Sequence, residues 1–332
     1  MLKPTSNSPT RAAGAQQQPP SSKSGAPREP AQVDKKLKDS LIGGSLFGKQ
    51  VLYEIFQSCQ RTAPQDFERA LKRAGTGPML TGMLNTLREG RLTINFDLSK
   101  VEDNYSKKFE DEIVNSFGFS EKPGELQGTN SGRASMEKTV MGMRDVLQGP
   151  YGQYGEFGPD KRPLPSFQRT SRPIYGALDF MHADQGGAPT YGLSYIVLKD
   201  YMKHVSSYTP TDSYALSAWG GALSPDKVAC FTHFERLIAH CQDDLLGYSC
   251  LKALKDKTSN PNAKPHKNYG YGGRNNYIEA QIHSRIFVFR DAKEIHLDAG
   301  DWKNLAQSKR QDWELFGEQM RKRLGHQFLF VS

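Results

Sequence analysis

Four short stretches constrain this chain more than anything else in it: PIYGALDF (173–180), YGLSYIVLK (191–199), YIEAQIH (277–283) and RIFVFR (285–290). Each is short, rich in β-branched and aromatic residues, and bounded by glycine, proline or polar residues, so each predicts a strand. In YIEAQIH the alternation is strict. Tyr277, Glu279, Gln281 and His283 fall on one side and Ile278, Ala280 and Ile282 on the other, which makes a strand with one polar face. RLTINFDL (91–98) adds a further strand through Leu92, Ile94 and Phe96.

Ahead of these strands the apolar spacing is helical. SLFGKQVLYEIFQSCQR (45–61) sets Leu46, Val51, Leu52, Ile55 and Phe56 on one face. Thr62-Ala-Pro-Gln65 reads as a capping box with proline in the first turn, opening a second helix through Ala74. A third helix runs from about Met79 to a stop at Gly90, and others are predicted over 100–119, about 225–245 and about 307–324. Helices first, then strands with intervening helices, predict an α+β fold.

The chain has 332 residues, room for a sizeable core, yet only 36% of them are hydrophobic. Residues 1–38 explain part of this: they carry almost no large apolar side chain and cannot offset their ordering entropy. They predict a disordered tail, and a polar, Ser-rich leader also suits a bacterial type III secretion signal. They lack the apolar segment of a secretory signal peptide, and no apolar run in the chain is long enough to span a bilayer. The expected organisation is a leader over 1–38, a helical subdomain over 39–90 and a main domain over 91–332. Between 120 and 170 glycine and proline dominate, which predicts a long functional loop. Four cysteines in a chain of this size suggest free thiols rather than a disulfide framework.

The net charge of +8 permits nucleic acid or an acidic protein as partner, but the excess is spread: positive groups exceed negative by four in 1–40 and by five in 252–274. Three motifs stop short of a function. GGSLFGKQ (43–50) spaces Gly43, Gly48 and Lys49 like a phosphate-binding loop, but Gln50 replaces the magnesium-binding hydroxyl and no strand precedes the glycines. CFTHFERLIAHC (230–241) matches no zinc spacing, and on a helix Cys230, Phe234, Leu237 and Cys241 make an ordinary buried face. NYGYGGR (268–274) looks like an RNA-binding segment in a single copy. A basic nucleic-acid-binding protein stays open as an alternative. No metal is expected.

SRPIYGALDF (171–180), GGAPTYGLSYIVLK (186–199) and YIEAQIH (277–283), with INFD (94–97) and GTNSG (128–132) upstream, form a series. The series resembles a bacterial family catalogued as a domain of unknown function, with RPxYGAL, GGAPxYGxS and YxEAQxH segments. With its tail the chain resembles the CteC-like family of type III effectors, mono-ADP-ribosyltransferases that modify a threonine of ubiquitin. It departs from the pattern at Asp97-Leu98, where His-Pro is usual, and at Leu193, where glycine often precedes the serine. The resemblance implies a split β-sheet ADP-ribosyltransferase core, NAD+ as co-substrate, ubiquitin as protein substrate and delivery into the host cytoplasm. It also implies a monomer that uses neither nucleic acid nor membrane as partner. An Arg–Ser–Glu order then falls on Arg172, Ser194 and Glu279.

The chemistry suits those residue types. Cleaving the glycosidic bond of NAD builds an oxocarbenium-like centre, which a carboxylate at Glu279 can stabilise while it holds a ribose hydroxyl and takes the acceptor proton. Arg172 can grip a phosphate through paired donors. Ser194 can bond the carboxylate beside the nicotinamide. Tyr175, Gly176, Tyr191 and Tyr195 are the expected cofactor wall, with the tyrosines offered for stacking. Tyr269, Tyr271, Arg274 and Tyr277, on or just after the cationic loop before Glu279, are the expected contacts to the acceptor protein. Gln281 and His283 share the face of Glu279 and are expected to support it by hydrogen bonding. Thr129, Asn130 and Ser131 could bind phosphate through backbone amides. The alternative within the same chemistry is a transferase with another target, or a hydrolase of NAD.

Overall fold

The computed structural model describes residues 46–98, 113, 173–213, 227–241, 245–264 and 277–332. Within them, helices and one mixed sheet make an α+β fold. The strands are β1 (Arg91–Phe96), β2 (Ile174–Asp179), β3 (Ser194–Leu198), β4 (Ser206–Thr209), β5 (Ala229–Cys230), β6 (Glu279–Ile282), β7 (Ala292–Leu297) and β8 (Leu329–Val331). They hydrogen-bond in one eight-stranded sheet in the order β5-β4-β6-β2-β1-β3-β7-β8. Every pairing is antiparallel except β7 with β8. The ladder is continuous, so no break divides the strands into two sheets.

The register gives the sheet two unlike faces, because side chains alternate along each strand. On one face, Leu92, Ile94, Ile174, Leu178, Ile196, Leu198, Ala280, Ile282, Ile295 and Leu297 belong to one buried apolar cluster. That cluster extends into the helices α1 (Leu46–Ala74) and α2 (Gly77–Glu89), through Val51, Leu52, Phe56, Leu80, Met83 and Leu87. Both helices thus contribute side chains to the core beneath the sheet. The other face carries Thr93 and Asn95 on β1, Tyr175, Ala177 and Asp179 on β2, Ser207 and Thr209 on β4, and Glu279 and Gln281 on β6.

Local sequence explains much of the helix pattern, with one correction. Thr76 caps α2, its hydroxyl accepting the N–H of Met79 at 3.3 Å. The break predicted at Thr62 is absent, and α1 runs straight through Pro64. Thr62 does not cap a new helix, because its hydroxyl donates to Asp66 Oδ2 at 2.6 Å. Arg236, from α3 (Glu235–His240), reaches the same turn and donates to Ser58 O at 2.8 Å. These bonds hold the helix where proline would otherwise kink or end it.

Three other predictions shift. The helix expected over 225–245 divides into the edge strand β5 and the short α3; α4 (Leu245–Ser259) follows. RIFVFR is not a strand: Asp291 accepts the N–H of Phe287 at 2.7 Å and closes the turn α5 (Val288–Asp291), so β7 starts only at Ala292. SSYT (206–209), in which Tyr208 alone reaches the apolar core, is a strand with no aliphatic alternation to announce it. After α6 (Ala299–Asn304), the predicted helix at 307–324 appears as α7 (Gln307–Leu324). The leader, the 120–170 loop and all of the 100–119 helix except Ile113 lie outside the described residues; Ile113 bridges Ile286. No described helix is long and apolar enough to cross a membrane.

Candidate active site

Glu279 opens β6 between two strands, with Ala177 of β2 opposite on one side and Thr209 of β4 on the other. The polar face of β6 is buried here: Glu279 is 4% exposed and Gln281 fully enclosed. A carboxylate in that setting needs donors, and the neighbouring strands supply them. Gln281 Nε2 donates to Glu279 Oε1 at 2.7 Å and to Thr209 Oγ1 at 3.2 Å. The Ser213 hydroxyl donates to the same Oε1. Ser207 Oγ donates to Gln281 Oε1 at 2.9 Å and lies 2.8 Å from His283 Nε2. A hydroxyl has one proton, so with Ser207 donating to Gln281 the imidazole must present Nε2–H. Burial pulls His283 down to about 3, which keeps that ring neutral. The glutamine amide is thereby fixed with its nitrogen toward the carboxylate.

A second carboxylate lies close by. The Tyr277 hydroxyl is 3.1 Å from Asp212 Oδ2 and 3.4 Å from Glu279 Oε2. The Tyr191 hydroxyl donates to Asp212 Oδ2 at 2.8 Å, and its ring meets that of Tyr277 edge-on at 6.0 Å. Burial, with the charges of Glu279 and Asp212, pushes the Tyr277 phenol well up; burial and Asp212 do the same to Tyr191. Both phenols therefore stay protonated and act as donors. Asp212 is 1% exposed and Tyr277 3%, whereas Tyr191 is 44% exposed and is the part of the cluster that reaches solvent. Beside them the buried Thr211 hydroxyl has no hydrogen-bond partner among the described residues, while the Thr211 carbonyl accepts from Thr209 at 2.8 Å.

Tyr191 reaches this cluster because the segment after β2 folds back over the polar face. The Gly187 N–H donates to Thr93 Oγ1 and the Ala188 N–H to Asn95 Oδ1, each at 3.0 Å. Asn95 Nδ2 returns two bonds, to Gln185 O at 2.7 Å and Gly192 O at 2.9 Å. The backbone lies so close that a Cβ on Gly187 would sit 2.7 Å from Ala177 Cβ, and one on Gly192 (φ +139°) 2.0 Å from the Phe96 carbonyl. Ala188 packs with Ala177 and Tyr277 in a small apolar cluster beside Glu279. Upstream, Arg91 pairs with the buried Asp179, whose carboxylate accepts the Ala183 N–H at 3.1 Å, pinning the turn from which the segment departs.

Of the predicted residues, Glu279, Tyr191 and Tyr277 are brought together, and Gln281 supports Glu279 as expected. Tyr277 is buried in the cluster rather than turned outward toward an acceptor. Ser194 does not join them. It has the parity of Ile196 and Leu198, lies on the opposite face of the sheet from Glu279, and accepts the Asp298 N–H at 3.0 Å. Tyr195 shares the polar face, but three strands away, roughly 14 Å across the sheet. It stacks on His296 at 4.6 Å beneath Arg91. Gly176 faces Ile94 and Ile282 on the apolar side, where a Cβ would meet Thr93 O at 2.6 Å; its role is close strand approach. Tyr175 lies opposite Gln281, one pair along from the Glu279 row. Arg172, Tyr269, Tyr271, Arg274 and Thr129–Ser131 lie outside the described residues.

Sequence reasoning missed Ser207, Thr209, Asp212 and Ser213. Their signal was the run SSYTPTDS (206–213), in which every second residue is polar. The hydroxyl-bearing strand beside the glutamate is β4, not β3. Among the described residues no group of three or more His, Cys, Asp and Glu side chains could hold a metal ion. In CFTHFERLIAHC, His233 bonds Glu235 at 2.7 Å and His240 lies 3.4 Å from Asp66.

No curated protein matches the chain. A family model described as protein of unknown function (DUF3626) matches residues 144–312, a span that holds β2 through β7 and every member of the carboxylate cluster. By that match, over half its length, the chain belongs to the DUF3626 family.

Proposed function

We propose that this protein is an NAD-dependent mono-ADP-ribosyltransferase with Glu279 as its essential carboxylate, and that the sheet is a variant of the ADP-ribosyltransferase core. The observation that carries the reading is the setting of Glu279: a carboxylate at the opening of a strand, with Oε1 fixed by Ser213 and Gln281 and Oε2 facing a phenol at 3.4 Å. A contact that long is one a ribose hydroxyl can replace. Tyr191, 44% exposed, offers a stacking surface at the solvent side of the cluster.

In the reaction the glycosidic C–N bond of NAD breaks and its electron pair leaves on nicotinamide. The acceptor oxygen bonds the ribose anomeric carbon, and its proton passes to Glu279. The fixed carboxylate stabilises the positive charge that develops between the two events. The resemblance of the YIEAQIH and RPIYGAL segments to the CteC-like effectors supports a hydroxyl acceptor, with a threonine of ubiquitin as the first candidate and the host cytoplasm as the place of action.

Incubation with NAD and purified ubiquitin should add one ADP-ribose, located on threonine by fragmentation and stable to neutral hydroxylamine. Glu279→Gln should lower transfer by roughly 10²-fold or more while the protein stays folded. Labelling of a different lysate protein would keep the chemistry and discard ubiquitin. Free ADP-ribose alone would make the protein a hydrolase. A folded Glu279→Gln variant with wild-type turnover would overturn the assignment.

A further inference from the structure

The Tyr277 hydroxyl holds one proton and faces three acceptors, Asp212 at 3.1 Å, the Tyr191 oxygen at 3.3 Å and Glu279 at 3.4 Å. It can donate to one of them at a time. Asp212 already receives the Tyr191 proton at 2.8 Å, and it still competes for that of Tyr277 at the shorter of the two distances. When Tyr277 turns to Asp212, its lone pairs face Glu279 Oε2, and a proton on Oε2 becomes favourable because it can be donated to the phenol oxygen. When Tyr277 turns to Glu279, the ionised form of Glu279 is favoured and Asp212 keeps Tyr191. The two arrangements differ by rotation of one O–H, with no heavy atom displaced.

We infer that Asp212 is a positioning residue that sets the protonation of Glu279 through the shared Tyr277 hydroxyl. Its meaning for catalysis rests on the transferase reading: the site can absorb the acceptor proton at Glu279 while Tyr277 swings to Asp212. In that proton transfer only O–H bonds change: the acceptor O–H breaks as the Glu279 O–H forms, and the site gains the one proton the acceptor loses. The titratable and charged groups around Glu279 include Tyr277 on its own strand, Asp212 after β4 and Tyr191 on the segment over the face. His283 lies behind Gln281, and on β2 the same face carries Asp179, paired with Arg91 and close to His182. The Asp179–Arg91 pair is internally compensated, and the phenol-bridged carboxylates are the pair whose titrations this geometry couples.

Two substitutions should act with opposite sign. Asp212→Asn removes a neighbouring negative charge and frees Tyr277 to donate to Glu279, so Glu279 should ionise at a pH lower by about one unit. Tyr277→Phe keeps the ring but removes the donor, so the midpoint should rise. Carbon-13 carboxyl NMR of the full chain without NAD measures this directly, with the Glu279 resonance assigned by its loss in Glu279→Gln. The acid limb of the pH profile of nicotinamide release should move in the same two directions. A purely structural role for Asp212 would lower rate or stability and leave both midpoints in place. Unchanged midpoints would overturn the inference; if Asp212→Asn fails to fold, Tyr191→Phe, which takes a donor from Asp212 and strengthens its pull on Tyr277, should raise the Glu279 midpoint, and no rise would overturn it. Opposite NMR shifts without any nicotinamide release would keep the coupling and discard the transferase.

Discussion

His283 shows how a single residue ties the site to acid stability. Its ring is buried, bonded to Ser207, and held neutral down to about pH 3, against an ordinary value of 6.5. The unfolded chain therefore binds a proton there that the folded one refuses. Stability from this group is complete above pH 6.5 and drains away as pH falls from there toward 3. His283→Gln, which can still donate to Ser207, should flatten the fall of Tm across that window; an unchanged acid slope would show that other groups dominate it. The role of His283 beside Gln281 was legible from alternation alone. Its partner Ser207 was not, because a hydroxyl in a polar run carries no sign of which strand it will face.

At the scale of elements, the segment from Gln185 to Gly192 is the part that turns a sheet face into a site. It has few apolar side chains; Asn95 and Thr93 of β1 hold its backbone, and Ala188 is buried against Ala177 and Tyr277. Glycine is required at Gly192, where the backbone has φ +139° and an added Cβ would press on the Phe96 carbonyl. Gly192→Ala should destabilise the protein by at least about 1–3 kcal/mol and displace Tyr191 from Asp212. Gly75→Ala, also at positive φ but with open space around it, should cost less. Thermal denaturation of the pair checks this, and equal losses would mean that strain alone, not the approach to β1, fixes the segment. The glycines of GGAPTYG were visible in the sequence; that they let the chain lie flat on β1 and β2 was not.

At the scale of the whole molecule, a buried ion pair joins the helical layer to itself. Arg236 of α3 is fully buried and donates to Asp66 of α1 at 2.9 Å, to Ser58 O at 2.8 Å and to Val228 O at 3.1 Å. Burial pushes Asp66 up, but bonds from His240, Thr62 and Arg236 outweigh it and hold the carboxyl at about 2. Its contribution is thus present above the ordinary carboxylate range and lost as pH falls toward 2. Asp66→Ala leaves the guanidinium uncompensated and should cost about 3–5 kcal/mol in urea denaturation at neutral pH. Replacing both partners by apolar residues of similar volume should recover much of that loss; a double variant no better than the single would show that the guanidinium bonds to the backbone matter more than the pair.

The sequence by itself determined the period of each element. It put Glu279, Gln281 and His283 on one face of a strand, marked a helix over about 307–324, and set Ser194 in step with Ile196 and Leu198. Only the structure showed that step to face the core and not Glu279. The spacings are local facts, because period 2 and period 3.6 are properties of the backbone. Tertiary structure decided what meets what. It carried α1 past Pro64 with bonds from Arg236, made a strand of the polar SSYT, and set Asp212 and Tyr191 beside Glu279 although they lie 67 and 88 positions earlier in the chain. Strand order brought them there, and strand order follows from burying one face of the whole sheet at once, which no single stretch of sequence contains.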